Sequence, residues 1–268
     1  MLSILTPTYN RAHTLPRLYK SLQAQSNQNF EWLIVDDGST DDTAAWIDTC
    51  CQRAKFSVRM IRQDNGGKHV ALNTGVASAQ GEWIFIVDSD DLLTADAVEA
   101  VADAVDIGAS SQDPVVGVCF RKADLAGRLL GSECAQAAVP LISTPTRVGR
   151  MVEGDLAYVF RRDIMAQLPF PVFPGEKFVP ELYIWNKIGD QGQVWFYLDR
   201  VIYLCEYLDD GYTRNFTEHL RRNPRGFLLF YAAQIIREPQ LLGKVKALVR
   251  SAQCLVYWVH KAWLRGRI

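Results

Sequence analysis

The chain has 268 residues, 49% of them hydrophobic, and a formal net charge of −1. That length and apolar share suffice for one large domain, or one domain with a helical appendage. The near-neutral balance excludes a general nucleic-acid binder, which carries a basic excess to neutralise phosphates.

The six cysteines show neither CxxC spacing nor the density of a disulfide scaffold, so they read as small core residues of a protein in a reducing compartment. The opening "MLSILTPTYNRAH" has no basic leader and only a short apolar run, so neither a signal peptide nor a membrane span is expected there.

In chain order, "LSILTPTYN" reads as a buried strand broken at Pro7, and "HTLPRLYKSLQAQ" as a helix with Leu15, Leu18 and Leu22 on one face. A second strand, "FEWLIVDDGSTDD", ends in acids and turn residues. The alternation continues through a helix at "TAAWIDTCCQRA", a strand at "SVRMIRQ", the turn "DNGGKH", a helix at "VALNTGVASA" and the strand "EWIFIVDSDD". This order predicts a parallel α/β sheet, with the polar ends of four strands gathered along one rim. Beyond about residue 112 the alternation weakens. Strand-like "VVGVCF" and "AYVFRR" precede a Pro-rich turn, a strand pair at "VWFYL" and "VIYLCEYL", and a helical segment from Asn223 onward.

Three clusters bear on chemistry. In "VDSDD", strand alternation points Asp88 and Asp90 together, a pair suited to a hard divalent cation such as Mg²⁺ or Mn²⁺. The alternative is an acidic cap on the following helix. "IVDDGSTDDT" is either a strand end whose carboxylate meets a base or ribose, or a turn and helix cap. In "QDNGGKHVALN", Gly66 and Gly67 permit close backbone approach, the helix start behind them favours an anion, and Lys68 adds a cation. Neither the GxGxxG nor the GxxxxGK[ST] spacing is present, which argues against a dinucleotide oxidoreductase and a P-loop enzyme. The aromatics in "LYIWNKI" and "VWFYL" read as core, with stacking on sugar rings as the alternative.

Together, "TPTYNR", "VDDGSTDDT", "NGGKHVALNTG" and "GEWIFIVDSDD", in this order over roughly the first hundred residues, resemble the N-terminal half of glycosyltransferase family 2, the inverting GT-A enzymes that use nucleotide sugars. The resemblance implies an α/β fold of GT-A type, with a mixed, mainly parallel sheet, flanking helices and a C-terminal helical segment. It implies a transferase domain over 1–222, divided into a nucleotide-sugar half at 1–110 and an acceptor half at 111–222, followed by a basic helical segment at 223–268. By similarity, Thr6, Pro7, Tyr9, Asp37, Gly67, Lys68, Asn73, Asp88 and Ser89 line the nucleotide site, and Asp88 and Asp90 form the DxD motif that holds Mg²⁺ or Mn²⁺. In the stretch "FPGEKFVPELYIWNKI" the resemblance places the general base at Glu181, with Glu176 second. It places Glu153, Asp155 and Arg161 near the acceptor, and Arg214 near the diphosphate. The implied partners are a nucleotide-sugar donor, a UDP-sugar first, and a saccharide or lipid-linked acceptor of surface polysaccharide synthesis. A non-catalytic nucleotide-sugar-binding protein is the alternative.

After Glu238 the chain has six basic residues and no acid. Helical spacing there puts Val245, Leu248, Ala252, Leu255 and Val259 on one face, with Trp258 and Trp263 near its end. Two expectations follow: an interfacial helix on the inner face of a membrane, attached to a cytoplasmic enzyme, or a helix packed on the domain or on a homo-oligomer partner.

Overall fold

The computed structural model describes residues 1–134, 139–205 and 216–265. In chain order the elements are β1 (Leu2–Thr8), α1 (Leu15–Gln23), β2 (Phe30–Asp36), α2 (Thr43–Arg53), β3 (Ser57–Arg62), α3 (Lys68–Ser78), β4 (Trp83–Ile86), β5 (Leu92–Leu93) and α4 (Ala97–Ala109). There follow β6 (Val115–Asp124), β7 (Leu141–Ile142), α5 (Pro145–Val152), β8 (Leu156–Arg161), α6 (Arg162–Gln167), α7 (Leu182–Gly189), β9 (Gln193–Cys205), α8 (Phe216–Arg222), α9 (Pro224–Arg237) and α10 (Leu241–Arg265).

One nine-stranded sheet runs β3-β2-β1-β4-β8-β6-β9-β5, with β7 also on β9. The first four strands are mutually parallel. Beyond them the sheet is mixed, because β8 runs antiparallel between β4 and β6. In place of the expected pair of strands, one long strand, β9, carries both "VWFYL" and "VIYLC". Its pairing with β6 shifts register after Phe120, so the two halves serve different neighbours.

The period-2 alternation of β2 explains why both faces are covered. Phe30, Trp32 and Ile34 join Leu15, Leu18 and Leu22 of α1 and Ile47 of α2 in one apolar layer. Leu33 and Val35 face the other way, into an apolar layer shared with Ala71, Leu72 and Val76 of α3 and Trp185 of α7. The aromatics Trp185, Trp195 and Phe196 are core, as the sequence suggests. Cys50, Cys119, Cys205 and Cys254 are buried free thiols, whereas Cys51 is exposed.

This layering positions the site. The crossovers through α1 and α2 use one face and step from β1 outward to β3, whereas α3 uses the opposite face and returns the chain to β4, on the other side of β1. A reversal of this kind opens a crevice at the carboxyl ends of β1 and β4.

The C-terminal helices build a smaller cluster around Leu220, Phe227 and Cys254, joined by Phe178. Here α10 packs through Ala247, Ser251 and Cys254, which are buried. Its Val245, Leu248, Leu255 and Val259 face outward, so the apolar stripe is not what fixes the helix to the domain.

Candidate active site

At the carboxyl end of β4 the chain leaves the strand, and Asp88 to Asp91 form a tight turn in which the Asp91 amide donates to the Asp88 carbonyl at 3.2 Å. Strand alternation therefore does not extend to these residues, but the turn has a similar effect. The side chains of Asp88 and Asp90 stay partly exposed while Ser89 and Asp91 are buried. The Asp88 amide donates to the Tyr203 hydroxyl at 2.9 Å, fixing the turn to β9. From the first helix, Arg17 donates to the Asp90 carbonyl at 2.7 Å, and the Arg11 guanidinium lies 4.0 Å from the Asp90 carboxylate.

Lys68, the first residue of α3, reaches two carboxylates at once: Asp88 at 2.6 Å and Glu181 at 2.7 Å. Burial opposes its charge, but Asp88 and Glu181 outweigh burial and hold its pKa well above the usual lysine value. Burial likewise opposes ionisation of Asp88, yet Lys68 and Lys122 together bring that carboxyl below its ordinary range. Asp90 and Asp91 move the other way. Burial, then the charge of Asp88, raises Asp90, and the same two causes push Asp91 up to about 7. The turn thus sets an ionised Asp88 beside Asp90 and Asp91, whose carboxyls burial and the Asp88 charge hold toward the neutral form, so a cation bound there would favour their ionisation. Among the described residues there is no ready-made cluster of three or more metal-binding side chains. Two carboxylates nevertheless fit Mg²⁺ or Mn²⁺, which fill the remaining positions with water and phosphate oxygens.

Lys122 at the end of β6 was not picked out by the sequence reading. Its ammonium lies over the Tyr203 ring at 3.9 Å, and it feels Asp88, Asp91 and Asp155. Because β8 starts where β4 ends, Asp155 stands at this same rim. Arg161 does not. It pairs with Trp83 at the opposite end of the sheet and forms an ion pair with Asp163 at 2.6 Å. Glu153 caps α5 with a left-handed backbone, and Arg214 lies outside the described residues.

Several expected nucleotide contacts have other roles. The Thr6 hydroxyl accepts from the Trp32 indole inside the core at 3.0 Å, so it does not line the crevice. Asn73 holds the backbone of Phe170 with both ends of its amide. The anion expected at the glycine turn is supplied by the protein itself. Asp37 accepts from the Gly66 and Gly67 amides at 2.9 and 2.8 Å and from Gln63 at 2.7 Å. Gly67 has φ +96°, and a Cβ there would stand 2.1 Å from the Lys177 carbonyl oxygen. Its missing side chain lets the segment leading to Glu181 pack against α3, not a ligand.

At the crevice, Pro7 is buried, Tyr9 is exposed, and the buried Thr8 hydroxyl has no hydrogen-bond partner, an acceptor and donor left for a ligand. Past the carboxyl ends of β2 and β3, an open polar depression of about 630 Å³ is lined by Gly38, Ser39, Thr40, Arg62, Gln63, Asp64 and Asn65.

The two base candidates separate clearly. Glu181 caps α7 and turns its carboxylate to the Lys68 and Asp88 group. Glu176 is buried, paired with Arg225 at 3.0 Å, and accepts from the Arg225 and Gly226 amides at the start of α9. It is therefore a structural anchor and not an available base. Glu176→Ala would take the carboxylate from a half-buried guanidinium, which keeps the Pro174 carbonyl, and from the two amides at the start of α9, costing about 2–3 kcal/mol. In a thermal melt this is expected to lower Tm by on the order of 10 °C.

Residues 3–137 match the family described as Glycosyl transferase family 2. The chain belongs to that family. Among curated relatives, it is 36% identical over 106 residues to the glycosyltransferase GlyG of Streptococcus pneumoniae serotype 4, covering 39% of this chain and 35% of the relative. It is 30% identical over 106 residues to the poly(ribitol-phosphate) β-N-acetylglucosaminyltransferase TarS of Staphylococcus aureus, covering 39% of this chain and 18% of the relative. Against the first relatives so matched, the chain spans between 16% and 40% of their length. In fold, it resembles S. aureus TarS 1–349 in complex with UDP-GlcNAc, with a TM-score of 0.66 at 19% identity over 96% of this chain and 72% of that one. It also resembles the mannosyltransferase PcManGT from Pyrobaculum calidifontis in complex with GDP-Man and Mn²⁺, with a TM-score of 0.60 at 21% identity over 95% and 74% of the two chains.

Proposed function

We propose that this protein is an inverting glycosyltransferase that moves a sugar from a nucleotide-sugar donor, a UDP-sugar first, to a hydroxyl of a saccharide or lipid-linked saccharide in surface polysaccharide synthesis. The observation that carries this reading is the Lys68 ammonium shared by Asp88 and Glu181, which joins a carboxylate of the acidic turn and a carboxylate from the start of α7 in one group at the crevice. A protein that only bound the donor would have no need of a carboxylate facing that point. The donors held by two structural neighbours, UDP-GlcNAc and GDP-Man, fit the reading.

In the reaction, Glu181 accepts the proton of the acceptor hydroxyl as its oxygen attacks the anomeric carbon. The bond from that carbon to the diphosphate breaks, and the nucleoside diphosphate leaves with the electron pair. Asp88 and Asp90 would hold Mg²⁺ or Mn²⁺, which when bound supplies positive charge to the departing diphosphate. Arg17 and Tyr203 keep the acidic turn in place, so the carboxylates need not reorganise during the reaction. The depression bordered by Arg62, Gln63 and Asn65 is the place for the base and ribose.

The test is product stereochemistry. Incubation with α-linked UDP- and GDP-sugars, Mn²⁺ and a panel of saccharide acceptors, followed by NMR of the product, is expected to show a β linkage. An α product would contradict the single-displacement reading.

A further inference from the structure

The outer face of α10 is the largest feature that the active site does not use. The helix has 25 residues, about 37 Å long at the usual rise. At about 100° per residue its two sides divide cleanly. The side turned to the protein carries Ala247, Ser251 and Cys254. The opposite side carries Val245, Leu248, Val249, Leu255, Val256 and Val259, with exposures between 46% and 65%. Such a continuous aliphatic stripe, held outward by a helix whose other side is already packed, is not accounted for by the fold.

Charge decides between the occupants. Lys244 and Lys246 flank the stripe on its two edges, both exposed, and no acid follows Glu238. Two copies joined through this face would set these lysines against a helix that carries no carboxylate to meet them. An anionic lipid surface answers both the stripe and its basic margins. Among the described residues no helix is long and apolar enough to cross a membrane, so the helix lies on the surface.

We infer that the outward face of α10 is a docking surface for an anionic bilayer. The placement has a consequence for the site. Lys261 donates to the carbonyls of Gly175 and Arg222 at 3.2 and 2.6 Å, tying the C-terminal half of α10 to the segment that leads to Glu181. Docking through α10 therefore anchors the acceptor side of the enzyme near the lipid surface.

The test is flotation of the full chain with vesicles of phosphatidylcholine alone and vesicles containing about one third phosphatidylglycerol. The wild type is expected to float with the anionic vesicles and to be released by about 0.5 M salt. Leu248→Glu/Val256→Glu, both on the solvent side, is expected to lower partition at least tenfold, roughly, with an unchanged melt. Lys244→Glu/Lys246→Glu, which keeps the stripe intact, is expected to lower it by a similar factor on anionic vesicles. A wild type that stays with the buffer and sediments as a dimer, dissociated by Leu248→Glu/Val256→Glu, would overturn the inference in favour of a second copy. Flotation unchanged in both variants would overturn it as well.

Discussion

Glu181→Gln is expected to lower the rate of sugar transfer by about 10²–10⁴-fold while donor affinity stays within about twofold. Glutamine keeps the shape of the side chain and its position at the cap of α7 but cannot accept the acceptor's proton. Lys68 retains Asp88 as its partner at 2.6 Å, so it keeps one of its two ion pairs. The split between rate and affinity is the informative part. A positioning role alone would weaken donor binding along with turnover, and an unchanged rate would move the base elsewhere. Glu176 is not then the next choice, because its carboxylate is spent on Arg225 and the start of α9.

Asp90→Ala is expected to remove metal-dependent donor binding and to lower turnover about a thousandfold. The side chain is partly exposed and its carboxyl is already pushed up by burial and by Asp88, so losing it relieves repulsion and the fold should be retained. Calorimetry with Mn²⁺ and a nucleoside diphosphate would show the loss directly, and a melt on the same sample would show whether the fold persists. The two substitutions divide the reaction. Asp90→Ala affects the leaving group and Glu181→Gln the nucleophile, so only the first should abolish the effect of metal on donor binding.

The parallel half of the fold was legible chiefly where a strand is buried on both faces, as β1 and β2 are, and where a helix is amphipathic, as α1 is. The run "FEWLIVD" is buried throughout. Leu15, Leu18 and Leu22 are all inside. The mixed half was harder. A strand that bends and changes partner, such as β9, looks in sequence like two strands, because the irregularity at Asp199 and Arg200 resembles a turn.

In the site, acids at strand ends were visible as a class, but the assignment of individual residues depended on side-chain direction. Thr6 and Thr8 are two residues apart on one strand and both buried, yet Thr6 is satisfied by Trp32 while the Thr8 hydroxyl has no partner. No local signal distinguishes them. Lys122 and Tyr203 were missed because they come from strands remote in sequence that the sheet brings beside Asp88. Arg161 shows the converse. It follows Asp155 closely in sequence, but an antiparallel strand six residues long carries it to the far end of the sheet.

The most direct test of the central claim is a calorimetric titration of UDP-, GDP- and dTDP-sugars into the wild type and Asp90→Ala, each with and without Mn²⁺. Binding of one nucleotide class that requires Mn²⁺ and is lost in Asp90→Ala is the predicted result. Equal binding in the variant, or no binding of any donor to folded wild type, would contradict a donor site built on the Asp88 to Asp90 turn.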